Sequence, residues 1–342
     1  MIRPCMRTNF LLKGRNVMKK LLVLMLTALC LICLCGCSSS GGQSSGDGGD
    51  EKQLRVGVVQ LVQHAALDAA TQGFEDQLKK ELGDSVTVDV QNASGDSANC
   101  SVIVNGFIQD GVDLIMANAT PALQAAAAAT GDIPILGTSV TEYGVALEID
   151  DFNGLVGSNV SGTSDLAPLD EQAQMIIDLF PETKTVGILY CSAEANSIYQ
   201  VKKVTEYLEA KGITVKAAPF ADSNDIASTL EDLADQIDVL YIPTDNQAAS
   251  CAETIANIIL PKKIPAITGE EGPCAICGVA SLTISYYDLG VETGKMAAKI
   301  LKGEAKIEEM EIQYFPNPVK KFNKEIAEQL GVNIPEDYIA IE

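Results

Sequence analysis

Leu54-Arg55-Val56-Gly57-Val58-Val59 is a short, largely β-branched run, and the segment Ala66 to Leu82 that follows places Ala70, Phe74, Leu78 and Leu82 on one helical face. A brief apolar run succeeded by apolar residues at helical spacing is the signature of a buried parallel strand feeding a crossover helix. The unit recurs. Val86 to Val90 reads as a strand, Ala98 to Gln109 as a helix, Asp113 to Ala117 as a strand, Pro121 to Ala129 as an alanine-rich helix, and Ile133 to Leu136 as a strand. Gly157 to Asp165 is rich in Gly, Ser and Thr and breaks the rhythm, which restarts with a helix over Pro168 to Phe180 and a strand over Thr185 to Tyr190. The helix Ser197 to Lys211 ends at Gly212, and Val215 to Ala218, Ile226 to Ala234, Val239 to Ile242, Ala248 to Ile259 and Pro265 to Thr268 continue the alternation. A second non-periodic stretch, Gly278 to Ile284, precedes the helix Tyr287 to Leu301. Glu311 to Phe315 and a last helix, Phe322 to Leu330, close the chain.

Two such series predict an α/β fold of two doubly wound, Rossmann-like lobes joined by a three-segment hinge. The breaks place residues 54–160 plus 285–310 in lobe 1 and 161–284 plus 311–342 in lobe 2. In open parallel sheets ligands bind outside the carboxyl ends of the strands, where helix N-termini present free N–H groups. The loops at those ends combine uncharged hydrogen-bonding groups with isolated acids, which suits a small polar ligand carrying an ammonium group.

Composition narrows the chemistry. The 342 residues carry 24 Lys plus Arg against 46 Asp plus Glu, a formal net charge of −22, which repels nucleic acid. A single histidine, His64, and no tryptophan exclude most histidine-dependent catalysis, and no Gly-x-Ser-x-Gly elbow is present. The expectation is a protein that is not an enzyme, needs no cofactor and holds no metal. At the N-terminus, Met18-Lys19-Lys20 and the apolar stretch Leu21 to Leu34 read as a secretory signal. Leu34-Cys35-Gly36-Cys37 resembles a bacterial lipobox, so residues 1–36 are read as signal peptide, Cys37 as the lipidated residue, and the Gly/Ser/Asp-rich residues 37–53 as a flexible tether. This puts the folded body on the extracytoplasmic face of the cell membrane. Met1 and Met18 both remain possible starts.

Each conspicuous residue has two readings. His64 suits pocket lining or helix capping. Thr120 and Ser139 stand at helix starts, where a hydroxyl either caps the helix or binds a ligand carboxylate. Asp245 and Glu270 or Glu271 follow late strands and could pair with an ammonium group or be solvated acids. Gly290 to Lys295 has a superficial likeness to a phosphate loop but falls within a helix, where packing explains it. Cys274-Ala275-Ile276-Cys277 is read as two buried thiols or one local disulfide.

Several segments together carry a resemblance: Gly57 to Ala70, Ala119-Thr120-Pro121-Ala122, Gly162-Thr163-Ser164-Asp165, Ser192 to Ser197, Tyr241 to Asn246 and Tyr286 to Gly290. From about Arg55 to Pro335 the chain resembles the tryptophan/tyrosine ABC transporter substrate-binding protein family. The resemblance implies a type I periplasmic-binding fold whose lobes close on a solute and present it to an ABC permease and its ATPase. It carries over Gln60, His64, Thr120, Ser139, Asp165, Glu194, Asn196, Asp245 and Glu270 as ligand-binding positions, and an aromatic amino acid as ligand. The chain departs from the family's usual Gly-Glu-Asp at Gly269-Glu270-Glu271. An aromatic platform would come from Tyr143, Tyr190, Tyr199 or Tyr286. The competing readings are a ligand-sensing lipoprotein that signals to a membrane sensor, and a receptor for a different solute such as a nucleoside.

Overall fold

Strands buried on both faces need helices on both sides, and the central strands here meet that requirement. The computed structural model describes residues 53–315 and 317–341. The signal segment, Cys37 and nearly all of the expected tether lie outside these. In the first lobe, β1 (Leu54–Gln60), β2 (Val86–Asn92), β3 (Leu114–Asn118), β4 (Ile135–Val140), β5 (Val160–Ser164) and β11 (Gln313–Tyr314) form a parallel sheet in the order β11-β5-β4-β3-β1-β2. The second sheet contains β6 (Thr185–Cys191), β7 (Thr214–Phe220), β8 (Val239–Ile242), β9 (Ala266–Thr268), β10 (Ala280–Thr283), β12 (Val319–Phe322) and β13 (Ile339–Ala340). Its order is β13-β12-β10-β9-β8-β6-β7, with only the β10–β12 pair antiparallel. Both sheets thus run 2-1-3-4-5 through their first five strands, which puts a topological switch point beside β1 and beside β6.

The helices divide between faces. On the first sheet, α1 (Ala65–Leu82) and α11 (Tyr286–Leu301) bury Phe74, Leu78 and Met296 against Val56, Val58 and Met116. The other face packs Val59, Ile115 and Ile135 against Phe107, Leu123 and Tyr143, carried by α2 (Ser97–Asp110), α3 (Thr120–Ala129) and α4 (Tyr143–Ala146). The second sheet is covered by α5 (Leu169–Leu179), α6 (Ala195–Ala210) and α12 (Lys324–Leu330) on one side, with Ile176, Val204 and Ile326 in the core. α7 (Ile226–Ala234), α8 (Asn246–Ser250) and α9 (Ala252–Ile259) cover the other, contributing Leu230 and Ile255. A short α10 (Glu271–Ile276) follows β9.

The chain passes between sheets after Ser164, after Thr283 and after Tyr314. All three stretches expected as bare links contain a strand. β5 straddles the lobe limit drawn at 160/161, and β11 pairs with β5 although 311–342 were assigned to lobe 2, so both extend the first sheet. Small residues hide β5 from a hydrophobicity reading, and β11 is only two residues long: a Cβ on Gly162, which has φ +148°, would sit 2.1 Å from the Gly137 carbonyl oxygen and 2.4 Å from the Tyr143 hydroxyl. The single helix expected over Ala248 to Ile259 is two, broken at Cys251.

Gly290 and Gly294 lie in α11, and packing is their role. A Cβ on Gly290 would stand 1.9 Å from the Ala70 carbonyl oxygen, one on Gly73 of α1 2.1 Å from the Tyr287 carbonyl oxygen, and one on Gly294 3.0 Å from the Phe74 carbonyl oxygen. The two helices therefore touch backbone to backbone. Gly290→Ala should cost about 3 kcal/mol by overpacking and lower Tm by roughly 5–10 °C. Gly106→Ala on α2, where an added Cβ meets nothing within 4 Å, should be neutral or stabilise by about 0.5–1 kcal/mol. Calorimetric melting of the two variants checks the pair.

Candidate functional site

The carboxyl ends of both sheets gather the polar residues the sequence singled out, and their bonding sorts them into two groups. Gln60, at the end of β1, is spent inside the first lobe. Its amide donates to the Val62 carbonyl at 2.9 Å and to Asp68 at 2.7 Å, and it accepts from the Thr71 hydroxyl at 2.7 Å. Asn118 at the end of β3 donates to Thr71 and to the Leu67 carbonyl, so this network ties two strand ends to α1.

Glu194 and Asp245 are likewise occupied. Glu194 is 2% exposed and accepts from the Asn246 and Gln247 backbone N–H groups, from the Asn246 amide at 2.6 Å and from the Asn196 amide. It thereby caps the first turn of α8 from across the loop. Asp245 is fully buried and accepts from the Cys191 N–H at 2.6 Å and from the Ala248 N–H at 2.8 Å. Neither the solvated-acid reading nor a free carboxylate describes it: it is the N-cap of α8 and a brace between β6 and β8. Burial pushes both acids upward, and the Asp245 charge adds to the rise at Glu194.

The second group carries unpartnered atoms. Both Glu270 oxygens, one Asp165 oxygen, the Thr120 and Ser139 hydroxyls and the Asn118 and Asn196 carbonyl oxygens are buried without a hydrogen-bond partner, as is the Ser281 hydroxyl within β10. Buried polar atoms are nearly always satisfied, so their gathering about the carboxyl ends of the two sheets is anomalous within a protein's own bonding. Their placement has local causes. Thr268 donates its hydroxyl to the Glu270 carbonyl at 2.8 Å, which fixes the backbone and leaves the side chain unused as a cap on α10. Ala119 and Ser139 have φ of +94° and +53°, conformations that cost a non-glycine residue about 1–3 kcal/mol, at the ends of β3 and β4. Ala119 N–H bonds the Thr138 carbonyl at 3.0 Å, holding the Thr120 and Ser139 loops side by side.

Asp165 opens the first crossing segment. The Tyr286 hydroxyl, at the start of α11, donates to it at 2.9 Å. Burial raises the Asp165 carboxyl to about 6. Glu270 is pushed well up, first by burial and then by the negative charges of Asp165, Asp245 and Glu194. None of the four acids is bonded to a lysine or arginine among the described residues.

His64 stands at the N-cap position of α1 without a capping bond. Its Nε2 lies 3.3 Å from Asn246 Oδ1 in the second lobe. Burial lowers its pKa to about 4, so the ring is neutral near pH 7, and because the Asn246 amide nitrogen is committed to Glu194, Nε2–H is the donor. Beside it, the Gln247 amide donates to the Gly95 carbonyl at 2.8 Å, a second bond between the lobes. Asn246 and Gln247 are not among the positions that the sequence reading assigns to the site. Their position immediately after a strand-end Asp was the available signal.

Of the tyrosines, Tyr143 is buried beneath the strands with its hydroxyl on the Thr163 carbonyl, and Tyr190 packs on the second lobe's core. Only Tyr286 joins the acids. Cys274 and Cys277 are buried thiols, not a disulfide. Among the described residues no cluster of His, Cys, Asp and Glu fits a metal ion, and no helix is long and apolar enough to cross a membrane.

Residues 55–341 match the family model described as ABC transporter substrate binding protein. The chain belongs to the ABC transporter substrate-binding protein family. These are extracytoplasmic solute-binding proteins rather than enzymes. It is 35% identical over 299 residues to a tyrosine-binding protein of Clostridioides difficile, covering 84% of this chain and 85% of that one. Among solved structures, the ABC domain from Streptococcus pneumonia in complex with L-Trp is 35% identical, covers 83% of this chain and 96% of its own, and superposes with a TM-score of 0.79. The ligand-free, open structure of a Clostridium difficile substrate-binding protein is 36% identical, with 84% and 99% covered and a TM-score of 0.64. The two-lobed fold is that of type I periplasmic-binding proteins.

The two bonding classes predict opposite effects on the ligand-free protein. A carboxyl whose folded pKa is raised contributes stability that is complete below its unfolded value and lost as pH rises through the folded one. Glu270→Gln removes that loss and should raise Tm at pH 7.5 by about 1–2 kcal/mol equivalent, with the gain vanishing as pH falls toward the ordinary carboxylate range. Asp245→Ala strips two N–H groups of their acceptor and should destabilise by roughly 1–2 kcal/mol. Thermal melts across pH distinguish the two.

Proposed function

We propose that the chain binds a free aromatic amino acid between its two lobes and hands it to an ABC permease powered by an ATPase. The observation that carries this reading is the polarity of the unpartnered atoms. At one place they are carboxylate oxygens, on Glu270 and Asp165. At the other they are the hydroxyls of Thr120 and Ser139, with Thr120 in the first turn of the ten-residue α3. An α-ammonium group supplies three donors for the acids. An α-carboxylate accepts from the hydroxyls and lies at the positive end of the helix dipole.

Asn196 Oδ1 offers one more acceptor from the second lobe. Gln60, Glu194 and Asp245 support the site from behind, and His64 holds the rim. The aromatic class follows the relatives, one named for tyrosine and one holding L-Trp. Lobe closure is supported by the His64–Asn246 and Gln247–Gly95 bonds. It is also supported by the TM-scores, 0.79 against the L-Trp complex and 0.64 against the open, ligand-free protein at nearly equal identity. Closure alone joins both sets of contacts, so ligand favours the closed state. The lobes divide by sheet membership, and the lipobox-like Leu34-Cys35-Gly36-Cys37 supports anchoring through a diacylated Cys37.

In a thermal-shift and calorimetric panel, L-tryptophan, L-tyrosine or L-phenylalanine should raise Tm. The corresponding des-amino acids, which lack the ammonium group, should not. A panel in which only nucleosides, sugars or branched-chain amino acids act would defeat the reading. Ser139→Ala removes a hydroxyl that is unbonded in the empty protein, so it should weaken amino-acid binding about 5- to 10-fold while leaving the ligand-free Tm unchanged.

A further inference from the structure

Asp165, Glu194, Asp245 and Glu270 are all at least nine-tenths buried, at most 4% exposed; the last three follow the adjacent strands β6, β8 and β9, and Asp165 follows β5 of the other sheet, where its charge still acts on Glu270. Glu194 and Asp245 are surrounded by N–H donors, whereas Glu270 has none on either oxygen; Asp165 has the Tyr286 hydroxyl on one, with the Thr141 hydroxyl and its own N–H also favouring its charged form, and its other oxygen unpartnered. The groups facing Glu270 from the surrounding elements do not supply a cation. Tyr286 comes from α11, Glu194 precedes α6 and Asp245 precedes α8. His64 reaches Glu194 only through Asn246 and is neutral. Cys274 on α10 is a thiol, and Lys321 of β12 is paired with Glu271 at 2.8 Å. A carboxylate removed from water with no counter-charge takes a proton instead.

Resting on the amino-acid reading above, we propose that the empty cleft stores one proton on the Asp165–Glu270 pair and that the arriving ammonium group expels it. The carboxyl O–H bond breaks, the proton passes to water or buffer, and the vacated oxygens accept the ammonium N–H groups, so one cation replaces another. The upward displacement of both acids by burial agrees with this. The exchange makes the amine, rather than the side chain, the feature that every accepted solute must carry. Affinity then rises with pH until the empty pair has lost its proton.

The test is calorimetric titration of the protein with L-tryptophan or L-tyrosine at about pH 6.5 in buffers of different ionisation enthalpy. Roughly half to one proton should be released per ligand bound, with affinity rising about 3- to 10-fold per pH unit below the empty pair's titration. Heats that do not depend on the buffer between about pH 5.5 and 7.5, or net proton uptake, would overturn the proposal while leaving amino-acid binding intact. Failure of every aromatic amino acid to bind would instead defeat the functional reading. Carboxyl carbon NMR of the ligand-free protein locates the proton without requiring binding. Beside the raised Glu194, a second glutamate signal titrating far above its ordinary range should be present and should be lost in Glu270→Gln. A spectrum in which Glu270→Gln removes only a signal of ordinary titration would overturn the assignment.

Discussion

A carboxylate taken out of water must find N–H donors, a cation or a proton, and the carboxyl edge of this fold is organised by how each of its acids meets that demand. Asp245 and Glu194 meet it with backbone N–H groups at the start of α8. By doing so they lock the β6 and β8 ends into one rigid floor. Glu270 sits on the next strand of the same sheet and is left without any partner. The satisfied acids hold the strand ends in place, and that rigidity keeps Glu270 buried, because a loose loop would let it swing to solvent.

The first lobe supplies the complementary half by a different route. Its β3 and β4 ends offer the hydroxyls of Thr120 and Ser139 and the start of α3, while Asp165 follows β5. The left-handed turns at Ala119 and Ser139 are local costs that the surrounding packed strands sustain. On the proposed reading, the hydroxyls of the first lobe and Glu270 of the second are brought together by a solute lying between two similar sheets.

Much of the architecture is legible in the sequence because burial on both faces forces continuous apolar strands, and crossover helices show a 3.6-residue period. What escapes are strands built of small residues. β5, with Val160-Ser161-Gly162-Thr163-Ser164, is buried throughout and reads as a linker, since Gly162 must admit the Tyr143 hydroxyl. The site is half legible. Position at a strand end selects Thr120, Ser139, Asp165 and Glu270 together with Gln60, Glu194 and Asp245, but the division between a bonded and an unbonded side chain depends on partners distant in sequence. Asp165 meets Tyr286 across 121 positions and Glu194 meets Asn246 across 52. Nothing local distinguishes Asp245 as a brace from Glu270 as an open acceptor.

The backbone weld between α1 and α11 has a mechanical corollary. α11 begins just past the second crossing and cannot peel away from α1, so in the closure proposed above the first lobe would turn as one lever about the three short ribbons that leave β5, β10 and β11. Asp165 and Tyr286 flank those ribbons, while Gly95 follows β2 at the opposite border of its sheet. In that motion leverage would grow from pivot to lip: the Gln247–Gly95 bond would feel the largest displacement and let go first, and the acids near the axis would part last.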